Sequence, residues 1–327
     1  MKKMFLTAAL AFFLVGCGNT NEPTQNAPAV SPEGATTTSH NHDHDADFEP
    51  LQVVATFSVI ADMVYQVAGE LVEIYTIVPI GEEPEEHEVL PSDMIAVSNA
   101  AIVFYNGIGL EDEGYWFEDL VEATGIEAGV TLFVVTEGIT PLNLQTEGME
   151  DYYDPHAWLD PRYGMIYIQN IADILSVFMP EHADTFQANA TREIARLQQL
   201  FDQWVGTFDD IPASERIVFT TEGAFRYFAN AFNLYVGYIW ELNAEEEGTI
   251  EQMISIIELV NASDVRYLFI ESSLEPDYME QVSEETGVPI FGMLFTDSIS
   301  YADGEAPTYF DMLRHNLESI NTALRGL

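Results

Sequence analysis

Four side chains in this sequence have the types and the placement to hold a divalent metal ion: His87, His156, Glu222 and Asp297. His87 stands in Gly81-Glu-Glu-Pro-Glu-Glu-His87-Glu and His156 in Tyr153-Asp-Pro-His156-Ala-Trp. Each lies in a loop that follows a predicted strand. Glu222 follows the apolar run Ile217–Thr220, and Asp297 follows Pro289–Leu294. In open α/β sheets, ligands bind at the loops beyond the carboxyl ends of the strands. Imidazole and carboxylate together suit first-row divalent ions. Spacing alone leaves the alternative open that each is an ordinary solvated loop residue.

The elements that must carry these loops are legible in the pattern. Leu51–Phe57, Val72–Pro79, Ala101–Asn106 and Thr131–Val135 read as strands, rich in Val, Ile, Phe and Tyr. Helical patterns over Ile60–Ala68, Pro91–Asn99 and Glu113–Ala123 separate them. The second half repeats the rhythm. Its strands are Arg216–Thr220, Leu234–Ile239, Arg266–Glu271 and Pro289–Leu294, and its helices Ala224–Ala231, Ile250–Asn261, Pro276–Thr286 and Thr308–Leu324.

Alternation of this kind predicts an α/β fold of two lobes, each a parallel sheet of about four strands flanked by helices. One long amphipathic helix over Glu181–Phe208 joins them, with Phe186, Ile194, Leu197, Phe201, Trp204 and Val205 largely on one face. Local signals mark boundaries: Asp160-Pro161 as an N-cap and first helical residue, Thr249-Ile-Glu-Gln252 as a capping box, Gly287 just past a helix. For Asp160 a contact to His156 is the competing reading; the cap accounts for it equally well. Trp158 and Trp240 adjoin the ligand motifs and are read as packing residues. His182 and His315 are read as facing solvent.

The predicted divisions are 1–16 signal peptide, 17–48 tether, 49–180 N-terminal lobe, 181–210 linker helix and 211–327 C-terminal lobe. The signal has Lys2 and Lys3, then an apolar run of about a dozen residues, too short to span a bilayer. It ends in Leu14-Val-Gly-Cys17. That is the pattern of a bacterial lipoprotein signal, with cleavage expected before Cys17 and lipid on its sulfur and amine; an ordinary export signal with an incidental Cys is the competing reading. The chain is therefore expected to be exported and lipid-anchored, on the outer face of the cell membrane or the periplasmic side. The tether is rich in Asn, Pro, Thr, Ala and Ser. It contains His40, His42 and His44, either accessory metal ligands or incidental linker residues.

Composition narrows the function. The chain has 327 residues, 47% apolar and 12% aromatic, with 55 acidic against 10 basic residues, a net charge of −45. Such a balance excludes nucleic acid as a partner. Cys17 is the single cysteine, so no internal disulfide or multi-cysteine metal site exists. With cleavage before Cys17, both lysines would leave with the signal, and the eight arginines that remain would face 55 acids, for a net −47.

Several motifs together resemble the metal-binding lipoproteins of bacterial manganese/zinc ABC transporters, the cluster A-I solute-binding proteins. They are Glu86-His87-Glu, Phe104-Tyr-Asn-Gly-Ile108, Asp154-Pro-His-Ala-Trp-Leu159, Glu222-Gly-Ala-Phe-Arg-Tyr-Phe228, Tyr238-Ile-Trp-Glu-Leu-Asn243, Glu245-Glu-Glu-Gly-Thr249, Ile270-Glu-Ser-Ser273 and Phe295-Thr-Asp-Ser-Ile299. The likeness runs from about Leu51 to the C-terminus.

The resemblance implies two α/β lobes joined by a long helix, with a divalent ion between them. Its ligands would be His87, His156, Glu222 and Asp297. It implies an ABC permease and a separate ATPase as partners, the chain itself being a non-enzymatic monomer; no GxxxxGK[ST] motif is present. The zinc branch usually carries histidine where Glu222 stands and a His-rich loop near the cleft. Here that loop, Gln145–Asp154, is acidic, and the closest motifs are those of the manganese branch. Two neutral imidazoles and two carboxylates would neutralise Mn²⁺; Zn²⁺ and Fe²⁺ are the alternatives, since affinity order alone places Mn²⁺ lowest. Surface adhesion is a second reading. Metallohydrolysis is a third, disfavoured because four protein ligands leave little room for water and no HExxH or GxSxG motif is present.

Overall fold

The computed structural model describes residues 49–111, 116–242 and 248–327. Cys17, His40, His42, His44, the signal, the tether and Glu245–Glu247 lie outside the described residues. Glu49–Leu327 forms one unit.

The first half is a four-stranded parallel sheet built from β1 (Leu51–Ala55), β2 (Val72–Thr76), β3 (Ile102–Tyr105) and β4 (Leu132–Val134), in the order β2-β1-β3-β4. Val53 and Val54 lie between Ile74 and Tyr75 on one side and Ile102 and Val103 on the other. The inner strand β3 is a continuous apolar run, as expected where helices cover both faces, whereas Gln52 of β1 and Glu73 of the edge strand β2 are exposed. The intervening helices are α1 (Ser58–Ala68), α2 (Pro91–Asn99) and α3 (Trp116–Thr124).

Two helices follow. Asp160 caps α4 (Pro161–Phe178), accepting the Arg162 amide at 2.8 Å, with Pro161 at the first helical position. α5 (Ala183–Trp204) folds back along α4 after a 3-10 turn at Pro180–His182. Gln187 there donates to Asp173 of α4 at 2.8 Å. Phe186, Ala190, Leu197 and Leu200 are its buried apolar residues. Val205 lies beyond the helix, at its C-cap, and is half exposed.

In the second half the expected sheet of four strands is divided. β5 (Ile217–Glu222) pairs in parallel with β6 (Tyr235–Trp240), and β7 (Leu268–Glu271) with β8 (Ile290–Leu294). No backbone ladder joins β5 to β7, although the two lie side by side. The Glu271 carboxylate fills the gap: it accepts the amides of Thr221 (2.7 Å) and Glu222 (3.2 Å). α6 (Arg226–Phe232), α7 (Ile250–Ala262), α8 (Asp277–Thr286) and α9 (Tyr309–Arg325) cover the strands. Thr249 and Gln252 form the capping box of α7, and Gly287 ends α8 at φ +74°.

The main core runs from β1 and α1 through Trp158 and α5 to α6 and α9; a smaller one lies among Phe219, Ile239, Trp240, Ile256, Leu268 and Met279. Gly164 on α4 makes one close approach possible. A Cβ there would overlap the Tyr309 ring. Without it, Tyr309 donates its hydroxyl to the Trp158 carbonyl at 2.5 Å, fixing the turn that carries His156.

Candidate metal centre

His156 sits between Pro155 and the 3-10 turn Ala157–Leu159. Its orientation is set locally. Asp154 Oδ1 accepts the His156 amide at 3.0 Å and faces ring Nδ1 at 2.9 Å. The Trp158 ring backs the imidazole at 5.2 Å, and its Nε1 donates to the Thr296 carbonyl at 2.9 Å. With Nδ1 engaged, Nε2 is directed at two carboxylates: Asp297 Oδ1 at 3.4 Å and Glu222 Oε2 at 3.9 Å.

Glu222 is the last residue of β5, held at its amide by Glu271. Asp297 lies beyond β8, where the Asn316 side chain pairs with both the amide and the carbonyl of Phe295. Ser273 Oγ donates to Asp297 Oδ2 at 2.9 Å, leaving Oδ1 for the cleft. So three of the four residues singled out by sequence converge.

His87 is not brought to the other three. Its Nε2 lies 3.0 Å from Asp93 Oδ2, and its ring meets Trp116 edge-on at 5.1 Å. Asp93 also accepts the Leu90 amide (2.7 Å), capping α2, and the Tyr75 hydroxyl (2.7 Å). Two residues of the same loop enter the cluster instead, Glu83 and Glu85, the latter 3% exposed. Ligand atoms of Glu85, His156 and Glu222 lie within 4.8 Å of one another, as do those of Glu83, Glu222 and Asp297. Two contacts set the loop: Pro84 O accepts Trp116 Nε1 at 2.9 Å, and the Gly81 amide donates to Ser298 Oγ at 2.8 Å. A cavity of about 270 Å³ beside the cluster is lined by Glu83, Glu86, Trp240, Ser273, Leu274 and Tyr278 among others.

The electrostatics are those of crowded, desolvated anions. Burial, reinforced by the Asp297 charge, raises Glu85 to about 8. Burial also holds Glu222 well above the carboxylate range; the His156 charge opposes this, while Glu85 and Asp297 add to it. For His156, burial favours the neutral ring. The Glu222 charge, the Asp154 hydrogen bond and Asp297 outweigh it, so the ring is held protonated well above its usual range. Burial would raise Asp297, but His156 overcomes it and the group is lowered. Buried carboxylates and one imidazole form a donor set that fits a hard divalent cation.

A buried cation props the outer side. Arg226 Nη1 meets Glu241 Oε1 at 2.7 Å and Asp154 Oδ2 at 3.5 Å. Glu241 also accepts the amides of Gln145 (2.7 Å) and Thr146 (2.6 Å). Trp240 and Trp158 are packing residues, as their positions suggested. His315 departs from its expected place in solvent: it is half-buried, edge-on to Phe295 at 5.1 Å, with Nε2 at 3.1 Å from the Met293 carbonyl. Sequence reasoning missed Glu85, Glu83 and Asp154. For Asp154 a signal existed, since ligating histidines commonly donate their second N–H to a carboxylate.

Residues 53–323 match the family model described as zinc-uptake complex component A, periplasmic (ZnuA). The manganese ABC transporter substrate-binding lipoprotein PsaA of Streptococcus mitis is 39% identical over 280 residues, 85% of this chain and 91% of that protein. The iron ABC transporter substrate-binding lipoprotein MtsA of Streptococcus pyogenes serotype M1 is 40% identical over 280 residues, 85% of this chain and 90% of its own. Among solved structures, the periplasmic zinc-binding protein TroA of Treponema pallidum superposes with a TM-score of 0.76 at 26% identity, covering 84% of this chain and 99% of that one.

Proposed function

The chain belongs to the ZnuA family and is the metal-binding, non-enzymatic component of an ABC transporter, and on that premise we propose that its cargo is Mn²⁺. The observation that carries this reading is the convergence of His156 Nε2, Asp297 and Glu222 in a buried cleft. Carboxylate-rich donor sets suit Mn²⁺ better than softer ions. The relatives named for manganese, iron and zinc make Fe²⁺ and Zn²⁺ the competing cargoes.

In this reading the body works as two lobes, 49–180 and 211–327, joined by a connector over 181–210 that contains α5. Ligands from both lobes take up the ion outside the cell and present it to the permease, which a separate ATPase drives. The protein acts as a monomer tethered through lipid on Cys17. No described helix is long and apolar enough to cross a membrane.

The test is a titration of the metal-stripped full chain with Mn²⁺, Fe²⁺ and Zn²⁺ in turn, read as thermal stability. A ligand at about 100 times its dissociation constant adds about 2.7 kcal/mol. We expect a clear Mn²⁺ shift that His156→Ala abolishes. A shift with Zn²⁺ alone would overturn the manganese assignment, and no shift with any of the three would overturn metal capture at this cluster.

A further inference from the structure

We propose that Glu85, and not His87, supplies the remaining ligand, so that this chain offers its ion one imidazole and three carboxylates. The inference rests on the reading above, that a divalent cation is held at His156, Glu222 and Asp297. It concerns which residue completes that set and what the completed set prefers.

Three observations carry it. Glu85 is buried to 3% exposure, yet neither of its carboxylate oxygens has a hydrogen-bond partner. A native fold seldom leaves both oxygens of a buried carboxylate unmatched without a ligand to receive them. Second, Glu85 shares a 4.8 Å sphere with His156 and Glu222. His156 Nε2 in turn faces Asp297 Oδ1 at 3.4 Å and Glu222 Oε2 at 3.9 Å, so ligand-type side chains from separate loops meet in one place. Third, His87 already has a structural task. It binds Asp93, which itself caps α2 and receives Tyr75, and it rests on Trp116, whose Nε1 fixes Pro84. Bringing His87 into the cleft would break its Asp93 contact.

The consequence is one of selectivity. Exchanging an imidazole for a carboxylate hardens the site. It gives up a donor that favours Zn²⁺ and gains one that suits Mn²⁺ and tolerates higher coordination. Glu85 is thus a specificity-determining ligand.

The test compares Glu85→Gln, Glu85→His, His87→Ala and His156→Ala in the full chain, with Mn²⁺ and Zn²⁺ affinities measured by chelator competition. We expect Glu85→Gln to weaken Mn²⁺ binding about 100-fold or more and His87→Ala, which disturbs only the support of the loop, to weaken it far less. Glu85→His should raise the ratio of Zn²⁺ to Mn²⁺ affinity about tenfold or more. X-ray absorption of the Mn²⁺-loaded wild type, which depends on no variant, should fit one imidazole among oxygen ligands. Loss of Mn²⁺ binding in His87→Ala with retention in Glu85→Gln would overturn the proposal, as would two imidazoles at the metal. Retention in His156→Ala would instead overturn the underlying metal site.

Discussion

Asp154 Oδ1 lies 2.9 Å from His156 Nδ1, and this contact decides which ring nitrogen the cleft receives. A histidine without such a partner could present either nitrogen, and its ring could turn. Here the carboxylate two residues upstream is locked in the same loop, with its second oxygen toward Arg226.

Replacing Asp154 with Asn keeps the shape and removes the charge. We expect metal affinity to fall by about 10–100-fold, the usual cost of losing such a partner. The melting temperature of the metal-free chain should change much less. An unchanged dissociation constant would mean that Asp154 does not orient the ring.

Gly164→Ala places a methyl group against the Tyr309 ring. Tyr309 is buried and bonded to the Trp158 carbonyl, so it has no room to retreat. Overpacking of this kind costs about 1–3 kcal/mol, measurable by urea denaturation. Because Trp158 supports His156, metal affinity should fall in the same variant.

Glu111 supplies a pH dependence away from the metal cluster. It accepts Thr56 Oγ1 and the Asn106 amide, both at 2.7 Å, and the Gly107 amide at 2.9 Å. Burial outweighs these bonds and raises it from 4.5 to about 7. The folded state therefore keeps a proton that the unfolded chain has lost. Stability from this group is full below about 4.5 and declines as the pH rises through 7, by up to about 3 kcal/mol. Glu85 and Glu271, both raised to about 8, act in the same direction. The metal-free chain should melt lower at pH 8 than at pH 5, and Glu111→Gln should flatten that slope. Equal slopes in both proteins would refute the assignment.

A net charge of −45 makes the body repel itself. At 1 M NaCl the Debye length is about 3 Å, against ~30 Å at 0.01 M. The metal-free chain should accordingly gain melting temperature between these salt concentrations. A flat or falling trend would show that local pairs, not global repulsion, set its stability.

Sequence was most informative where local chemistry is self-sufficient. The Asp160-Pro161 start, the Thr249–Gln252 box and the Gly287 stop each depend on neighbouring residues alone. The eight strands stood out because they are short runs rich in Val, Ile, Phe and Tyr set between helical patterns. His156, Glu222 and Asp297 were legible through their motifs and their places after strands. The Gly81–Leu90 loop was not. Glu85, Glu86 and His87 are adjacent polar residues, and which one turns inward depends on Trp116 and Ser298, distant in sequence. The division of the second sheet was equally hidden, since it depends on a carboxylate from β7 replacing backbone partners of β5.

That carboxylate, Glu271, bears on what holds the two strand pairs, and the side chains at their ends, at a fixed spacing. Glu222 ends one strand pair and Asp297 follows the other, and between the pairs the link is a rotatable side chain instead of a ladder of fixed pitch. The spacing of the Glu222 and Asp297 carboxylates is therefore held by the Glu271 side chain and by the packing of Phe219 and Ile239 with Leu268, not by backbone rungs.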